Sequence, residues 1–345
     1  MKTTTPKYVD YLIVGQGLAG TCFALEALSN NQRVHIIDLN NAYSASRLAA
    51  GIVNPIKGKR LYRLWQDDAT FDWVKHWYEK TEQRLSISVI KTRSLIRCLN
   101  TETECEAYLK KKDHPDYRHF LKEKPTPLDD TSFFHTPKDV FKLSSVLQLN
   151  TKHFLESAKR YFQKQNSYSH AYLNYSDIHE DASGIRWKGI LGKTLVFCDG
   201  HHAQYNPFCS FLNFEHAMGH IIELESSHIK SDSIINNGQW LYRKHANTFH
   251  FGTTSYWERC PKNRRQSIKT LEKHLANFLT VPYQIKHYFH GTRPVLKDRK
   301  PFVGIHPDNT RIGIINGFGG HGVYHAPLCA KQFLTLNNSL ITHPF

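Results

Sequence analysis

Gly15-Gln16-Gly17-Leu18-Ala19-Gly20 is followed by an acidic residue, Asp38, placed where a second strand would end. Backbone N–H groups left unpaired at the start of a helix bind phosphate oxygens, and a carboxylate at that distance accepts hydrogen bonds from a ribose hydroxyl. Each glycine has its own task. Gly15 permits the tight turn, Gly17 lets the backbone approach a pyrophosphate, and Gly20 lets helix and strand pack closely. A second cluster, Asn316-Gly317-Phe318-Gly319-Gly320-His321-Gly322, stands near the other end of the chain. A glycine loop that opens a helix aims N–H groups and the positive dipole end at one point. The chemistry these residues suit is the holding of a dinucleotide, NAD or FAD.

Hydrophobic periodicity supplies the elements that would position them. Tyr8–Val14 reads as a strand, Leu18–Leu28 as a helix with Phe23, Ala24, Ala27 and Leu28 on its apolar side, and Val34–Ile37 as a strand running into Asp38. Arg311–Asn316 and Tyr324–Leu336 read as the strand and helix around the second glycine cluster. Between them, Gln66–Leu85 is an expected helix whose Phe71, Val74, Trp77 and Tyr78 face a core. Ile87–Leu99 has strand character, Thr101–Lys112 is helical, and 115–137 is a connection. Thr151–Gln165 is an expected helix capped by Thr151. Short strands are expected at Tyr168–Tyr175, Gly184–Lys188 and Thr194–Cys198. His220–Glu225, Gln239–Arg243 and Thr248–Thr253 alternate as an antiparallel sheet would. A helix over Asn263–Leu279 and a strand over Gln284–His290 complete the pattern.

The 345 residues suggest two domains at about 150 residues each. A hydrophobic fraction of 40% with 22% charged residues excludes a disordered or fibrous chain. The charge balance, 45 − 30 = +15, suits an acidic partner and says nothing about fold. Seven cysteines without a C-x-x-C spacing argue for reduced thiols and a cytoplasmic protein. No run approaches the ~20 apolar residues of a membrane span. His216 and His220 are spaced as metal ligands on a helix, but the strand pattern that follows argues against a helix there, so no metal is expected.

Further residues complete a familiar arrangement. Ser44-Ala45-Ser46-Arg47-Leu48-Ala49-Ala50-Gly51 follows the second strand, and Gly291-Thr292-Arg293-Pro294, Asp298, Pro301 and Gly304 precede the second glycine cluster. At these positions the chain resembles the D-amino-acid oxidase and glycine oxidase family of FAD enzymes. The resemblance covers both ends and the order of elements; 85–135 has no residue-by-residue match. It implies an α/β fold: a Rossmann-like FAD-binding domain interleaved with a smaller antiparallel-sheet substrate domain. The first would take 1–84, 138–205 and 291–345, the second 85–137 and 206–290.

The cofactor implied is FAD. Contacts to it are implied for Gly15, Gly17, Leu18, Ala19, Gly20, Asp38, Ser46, Arg47, Ala50, Gly51, Gly200, Gly317, Gly319, Gly320, His321 and Gly322. The second glycine loop would face the N1/C2=O edge of the flavin, which becomes negative on reduction. Asp199 stands where the family has a small residue. The reaction implied is oxidation of the C–N bond of an amino acid or secondary amine by hydride transfer to flavin N5, with electrons passed to oxygen or another acceptor. Arg293 is implied to grip a substrate carboxylate, which its forked guanidinium suits. Tyr242 is implied to cap the site, its hydroxyl donating to the same carboxylate. No motif specifies a covalent flavin link, so dissociable FAD is expected.

Two other readings share the fold. One is oxidation of a modified nucleoside in tRNA, since the chain also resembles the FAD domain of the enzyme that modifies wobble uridine. Two basic clusters, Lys57, Lys59, Arg60 and Arg63, then Arg259, Lys262, Arg264 and Arg265, would serve a phosphate backbone, though this length lacks room for that enzyme's methyltransferase part. The other is a flavin-binding subunit without its own amine substrate.

Overall fold

A computed structural model describes residues 6–64, 68–121, 123–125, 131–135, 139–257 and 263–336. Its first sheet is mostly parallel. Strand Lys7–Val14 lies at the centre between Ile190–Phe197 and Val34–Asp38, with Leu12 opposite both Leu195 and His35. Asn309–Asn316 extends the sheet beyond Ile190–Phe197 and Tyr168–His170 beyond Val34–Asp38, all parallel. Phe302–His306 closes one edge in the antiparallel sense. A parallel sheet must be covered on both faces, and its strands accordingly read as continuous apolar runs: Leu12, Ile13, Leu195, Val196, Ile312 and Ile314 are all buried.

One face is covered by helices Leu18–Ser29, Thr151–Lys164 and Gly322–Thr335. Phe23 from the first and Phe333 from the last meet edge to face at 5.0 Å, over Tyr11 of the central strand. Helix Asp68–Leu85 packs outside them, and the Tyr78 hydroxyl donates to the Val323 carbonyl at 2.8 Å, fixing the first turn of the last helix. Gln66, the expected start of helix Asp68–Leu85, lies outside the described residues, as does Cys260.

The second sheet is antiparallel except where Ile234–Asn237 runs parallel to Ile90–Leu99. Ala217–Glu225 is flanked by Thr248–Gly252 on one side and Gln284–Arg293 on the other. Gln239–His245, Ile234–Asn237, Ile90–Leu99 and Asp139–Leu149 continue it. Alternation sorts the side chains. Ile222, Leu224, Leu241, Phe249 and Phe251 pack beneath helix Asn263–Phe278 with Leu271, Leu275 and Phe278. The opposite face turns towards the first sheet.

Element ends differ from sequence expectation for local reasons. Asn150, not Thr151, caps its helix, its side chain accepting from His153 N at 3.2 Å, while the Thr151 hydroxyl donates to Ala49 O. The strand expected over Tyr168–Tyr175 stops at His170, because Ala171 to Tyr175 turn away to line a cavity. The last helix begins at Gly322, His321 being its cap. The strand expected to stop at His290 runs to Arg293 and carries that residue into the second sheet.

Candidate active site

The first glycine loop is shaped by close backbone approach. Gly15 has φ +96°, and a Cβ there would lie 2.5 Å from Cys198 O; one at Gly20 would lie 1.9 Å from Gly15 O. A side chain at either would push helix and strand apart. Gly17 differs, since a Cβ would meet only the Ser46 side chain. Helix Leu18–Ser29 thus presents its N-terminus without an acidic residue in its first turn. The Leu18 N–H donates to Ser46 Oγ at 3.0 Å. Asp38 accepts from Gln16 N at 2.8 Å and Asn40 N at 2.7 Å, which ties the strand end to the loop.

Gly15, Gln16, Gly17, Leu18, Asp38 and Ser46 border a cavity of about 360 Å³ that also takes in Ala19, Arg47, Gly200 and Asp199. Arg47 donates to Asn40 Oδ1 at 3.1 Å and lies 3.7 Å from Glu156. Asp199 is open only towards the cavity, and accepts from Asn206 Nδ2 at 3.0 Å and Asn316 Nδ2 at 3.3 Å. Burial pushes its carboxyl up to about 6 despite those bonds.

A second cavity, of about 430 Å³, continues from the first through shared lining at Leu18, Ser46, Pro294 and Phe318. Ala50, Gly51, Gly319, Gly320, His321 and Gly322 form one wall. The second glycine loop places helix Gly322–Thr335 beside the first: a Cβ on Gly322 would be 3.2 Å from Leu18 Cδ1. Two helix N-termini therefore converge where the cavities join. Burial, with Lys57 and Arg293 nearby, pulls His321 down to about 4 and, with His321 and Lys57, His325 to about 3, so both rings are neutral. Two joined lobes, a pair of converging helix starts and a carboxylate at the strand end fit an extended dinucleotide such as FAD. Gly20 and Gly317 line neither cavity; they shape the loops from behind.

The other wall of the second cavity is the antiparallel sheet. Its floor is bare where Gly219 pairs with Gly291 and Ile221 with Gly252. Across that floor lies Arg293, whose Nη2 donates to Thr254 O at 3.0 Å. A Cβ at Gly219 would be 2.6 Å from Arg293 Nη2, so the missing side chain is what lets the guanidinium lie flat. Among the described residues no carboxylate pairs with Arg293, and none lines this cavity. Burial lowers its pKa, as expected for a cation with no counter-charge. Tyr242 lines the same cavity, buried, with its hydroxyl bonded to His250 Nδ1 at 3.0 Å.

No sequence motif marks Arg97, Trp240 or the His250–Glu223 pair. Arg97 and Trp240 border the second cavity, Arg97 held by a buried ion pair with Glu104 at 3.3 Å. Alternation in Trp240-Leu241-Tyr242 and Phe249-His250-Phe251 reveals which residues share a face, but strand register decides which of them meet. Lys57 borders the cavity, whereas Arg63 pairs with Asp68 at 2.7 Å. Arg259, Lys262 and the side chain of Arg264 lie outside the described residues. Among those described, no group of three or more His, Cys, Asp or Glu is placed to hold a metal.

Comparison with known proteins extends this picture. The sequence profile of the family described as FAD dependent oxidoreductase matches residues 10–335. Glycine oxidase from Geobacillus kaustophilus superposes with a TM-score of 0.77 at 17% identity, over 97% of this chain and 96% of that one. Iminodiacetate oxidase from Chelativorans sp. gives 0.69 at 14%, over 94% of each chain. L-Amino acid deaminase from Proteus myxofaciens, in complex with anthranilate, gives 0.73 at 12%, over 99% and 93%. At such identities the likeness is one of fold.

Proposed function

This chain belongs to the FAD dependent oxidoreductase family, and from that premise we propose that it oxidises the C–N bond of a carboxylate-bearing amine, an amino acid or a secondary amine of the iminodiacetate kind. FAD, when bound, supplies the two-electron acceptor for the hydride leaving the carbon next to nitrogen. The chain's own work is to hold the substrate over the ring, exclude water and handle the proton.

The observation that carries this reading is Arg293, a part-buried guanidinium with no carboxylate partner among the described residues, lying on the wall of the cavity opposite the second glycine loop. A buried charge without a counter-ion is costly, and a substrate carboxylate relieves that cost with two parallel hydrogen bonds. Lys57 on the same cavity adds to the preference for an anion. Glycine oxidase and iminodiacetate oxidase, whose folds this chain shares, are named for substrates of that kind.

We assign the adenosine and pyrophosphate to the cavity of Gly15, Gly17, Leu18, Ala19, Asp38, Ser46, Arg47 and Gly200. The flavin falls to that of Ala50, Gly51, Gly319, Gly320, His321 and Gly322, with Gly20 and Gly317 behind. On this reading 1–84, 138–205 and 291–345 hold FAD, and 85–137 and 206–290 the substrate. No helix among the described residues is long and apolar enough to cross a membrane. The free thiols of Cys22, Cys98, Cys105, Cys198, Cys209 and Cys329 support a reducing, cytoplasmic setting.

The test is anaerobic bleaching of the FAD-loaded protein by glycine, iminodiacetate and L-proline, repeated with Arg293→Ala. Bleaching by at least one of them, with half-saturation raised about 100-fold in the variant, is expected for a lost charge-assisted pair. Bleaching that is indifferent to the variant refutes the role of Arg293.

A further inference from the structure

Four residues stand abreast across four neighbouring strands. Tyr242 is opposite His250, His250 opposite Glu223, and Glu223 opposite His287. Directly paired residues share one face of a sheet with their Cβ atoms about 5 Å apart, so they are spaced for a chain of hydrogen bonds. Tyr242 Oη lies 3.0 Å from His250 Nδ1, and His250 Nε2 lies 3.0 Å from Glu223 Oε2. Glu223 Oε1 is 4.0 Å from His287 Nε2. The row is graded in exposure: Tyr242 and His250 are buried, while the Glu223 and His287 side chains are 19% and 68% exposed. One end opens on the cavity shared with Arg293, the other on solvent.

The hydrogens in this row can be placed. The Glu223 carboxylate only accepts, so His250 Nε2 carries the hydrogen and Nδ1 is left to accept from the Tyr242 hydroxyl. The hydroxyl's one hydrogen is thereby committed to His250, and its oxygen turns lone pairs towards the cavity. Such a group does not donate to a substrate carboxylate, contrary to what the resemblance implied. It accepts from an N–H.

We propose that Tyr242, His250 and Glu223 form a relay that takes the proton from the substrate's ammonium group before hydride leaves. The inference rests on the amine reading above. An amine releases hydride from its α-carbon only with a free nitrogen lone pair, whereas an amino acid arrives at neutral pH as an ammonium ion. In the step, the substrate N–H bond breaks and its proton passes to Tyr242 Oη. The Tyr242 proton passes to His250 Nδ1, and the His250 Nε2 proton passes to Glu223. Nitrogen keeps the electron pair, and no atom changes oxidation state. Tyr242 touches the substrate; His250 and Glu223 are positioning residues acting through it.

The surroundings suit the task. Burial holds His250 below its usual range, opposed by the hydrogen bond and charge of Glu223 and assisted by Lys244 and His245. The ring is therefore neutral and ready to accept. Phe289, beside it on strand Gln284–Arg293, is apolar, and His287 on the same strand faces Glu223.

The experiment measures the rate of anaerobic flavin bleaching against pH in the FAD-loaded protein, with glycine, iminodiacetate and L-proline as probes. Glu223→Gln keeps an acceptor for His250 but takes no proton. Its rate at pH 7 is expected to fall about 100-fold and to climb with pH until it meets that of the unmodified protein, where substrate arrives as free amine. Tyr242→Phe, which leaves His250 Nδ1 without its donor, should show the same shifted profile. In 15N-labelled protein, the His250 hydrogen should sit on Nε2. A variant rate that is unchanged, or lowered equally at every pH, overturns the relay, as does a hydrogen on Nδ1. Unmodified protein left unbleached by all three probes at every pH overturns the amine reading instead.

Discussion

Asp199→Asn tests the electrostatics of the cofactor cavity without knowledge of the substrate. The carboxyl is enclosed except on its cavity side and is raised from its ordinary 3.8 to about 6, because burial outweighs the bonds from Asn206 and Asn316. The fold therefore favours the neutral form. Its charged form costs stability above about pH 6, and the cost vanishes below about pH 4, where the group is neutral in folded and unfolded chains alike. A displacement of that size corresponds to about 3 kcal/mol at pH 8. Water in the cavity solvates part of the carboxylate, and an amide satisfies only one of the two asparagine donors, a loss of about 1 kcal/mol. The net expectation is a variant about 1–2 kcal/mol more stable than the parent at pH 8 and slightly less stable at pH 4. Urea unfolding of FAD-free protein across pH 4–8, followed by tryptophan fluorescence, measures the difference. A stability difference that stays constant with pH, or grows as pH falls, refutes the reasoning.

Other outcomes follow from the same geometry. Gly219→Ala puts a Cβ against Thr253 Oγ1, the Thr254 carbonyl and Arg293 Nη2, all within 2.6 Å, so it must displace the guanidinium together with the carbonyl that holds it, and should weaken binding of simple carboxylates about 10- to 100-fold, read from flavin absorbance during titration. Gly17→Ala and Gly20→Ala should both yield protein poor in flavin, seen in the ratio of visible to ultraviolet absorbance. Only Gly20→Ala, whose Cβ collides with backbone, should also lower the melting temperature of FAD-free protein. Glu104→Gln leaves Arg97 buried beside a neutral partner and weakens the capping box at Thr101, so a loss of about 3 kcal/mol is expected in thermal or urea unfolding.

Much of the cofactor side was legible in the chain because its constraints are local. Gly15, Gly17, Gly20 and Asp38 sit on one strand–helix–strand unit, where spacing alone fixes who faces whom. The expected helices and strands ended within a few residues of where periodicity put them, with local competitions such as Asn150 taking the cap from Thr151, but Asp139–Leu149 and Ile234–Asn237, strands of the second sheet, were not anticipated. The substrate side was less legible because it is assembled from distant strands. Tyr242 could be named by resemblance, but which way its hydroxyl points depends on His250, and that depends on the register of Gln239–His245 against Thr248–Gly252. Arg97 was hidden for the same reason: only the pairing of Ile90–Leu99 with Ile234–Asn237 brings it near the cavity.

The side-by-side starts of helices Leu18–Ser29 and Gly322–Thr335 have a mechanical consequence. Two positive dipole ends held next to each other repel, and the repulsion is greatest when nothing negative stands in front of them. On the assignment proposed above, the pyrophosphate and flavin of a bound FAD would stand where that repulsion points, and the ligand would act as a keystone between these two helices. Removing it should leave both glycine loops as the softest seam in the molecule, the first place for a protease to cut or for amide hydrogens to exchange. Saturation with FAD should close the seam at both ends of the sequence at once.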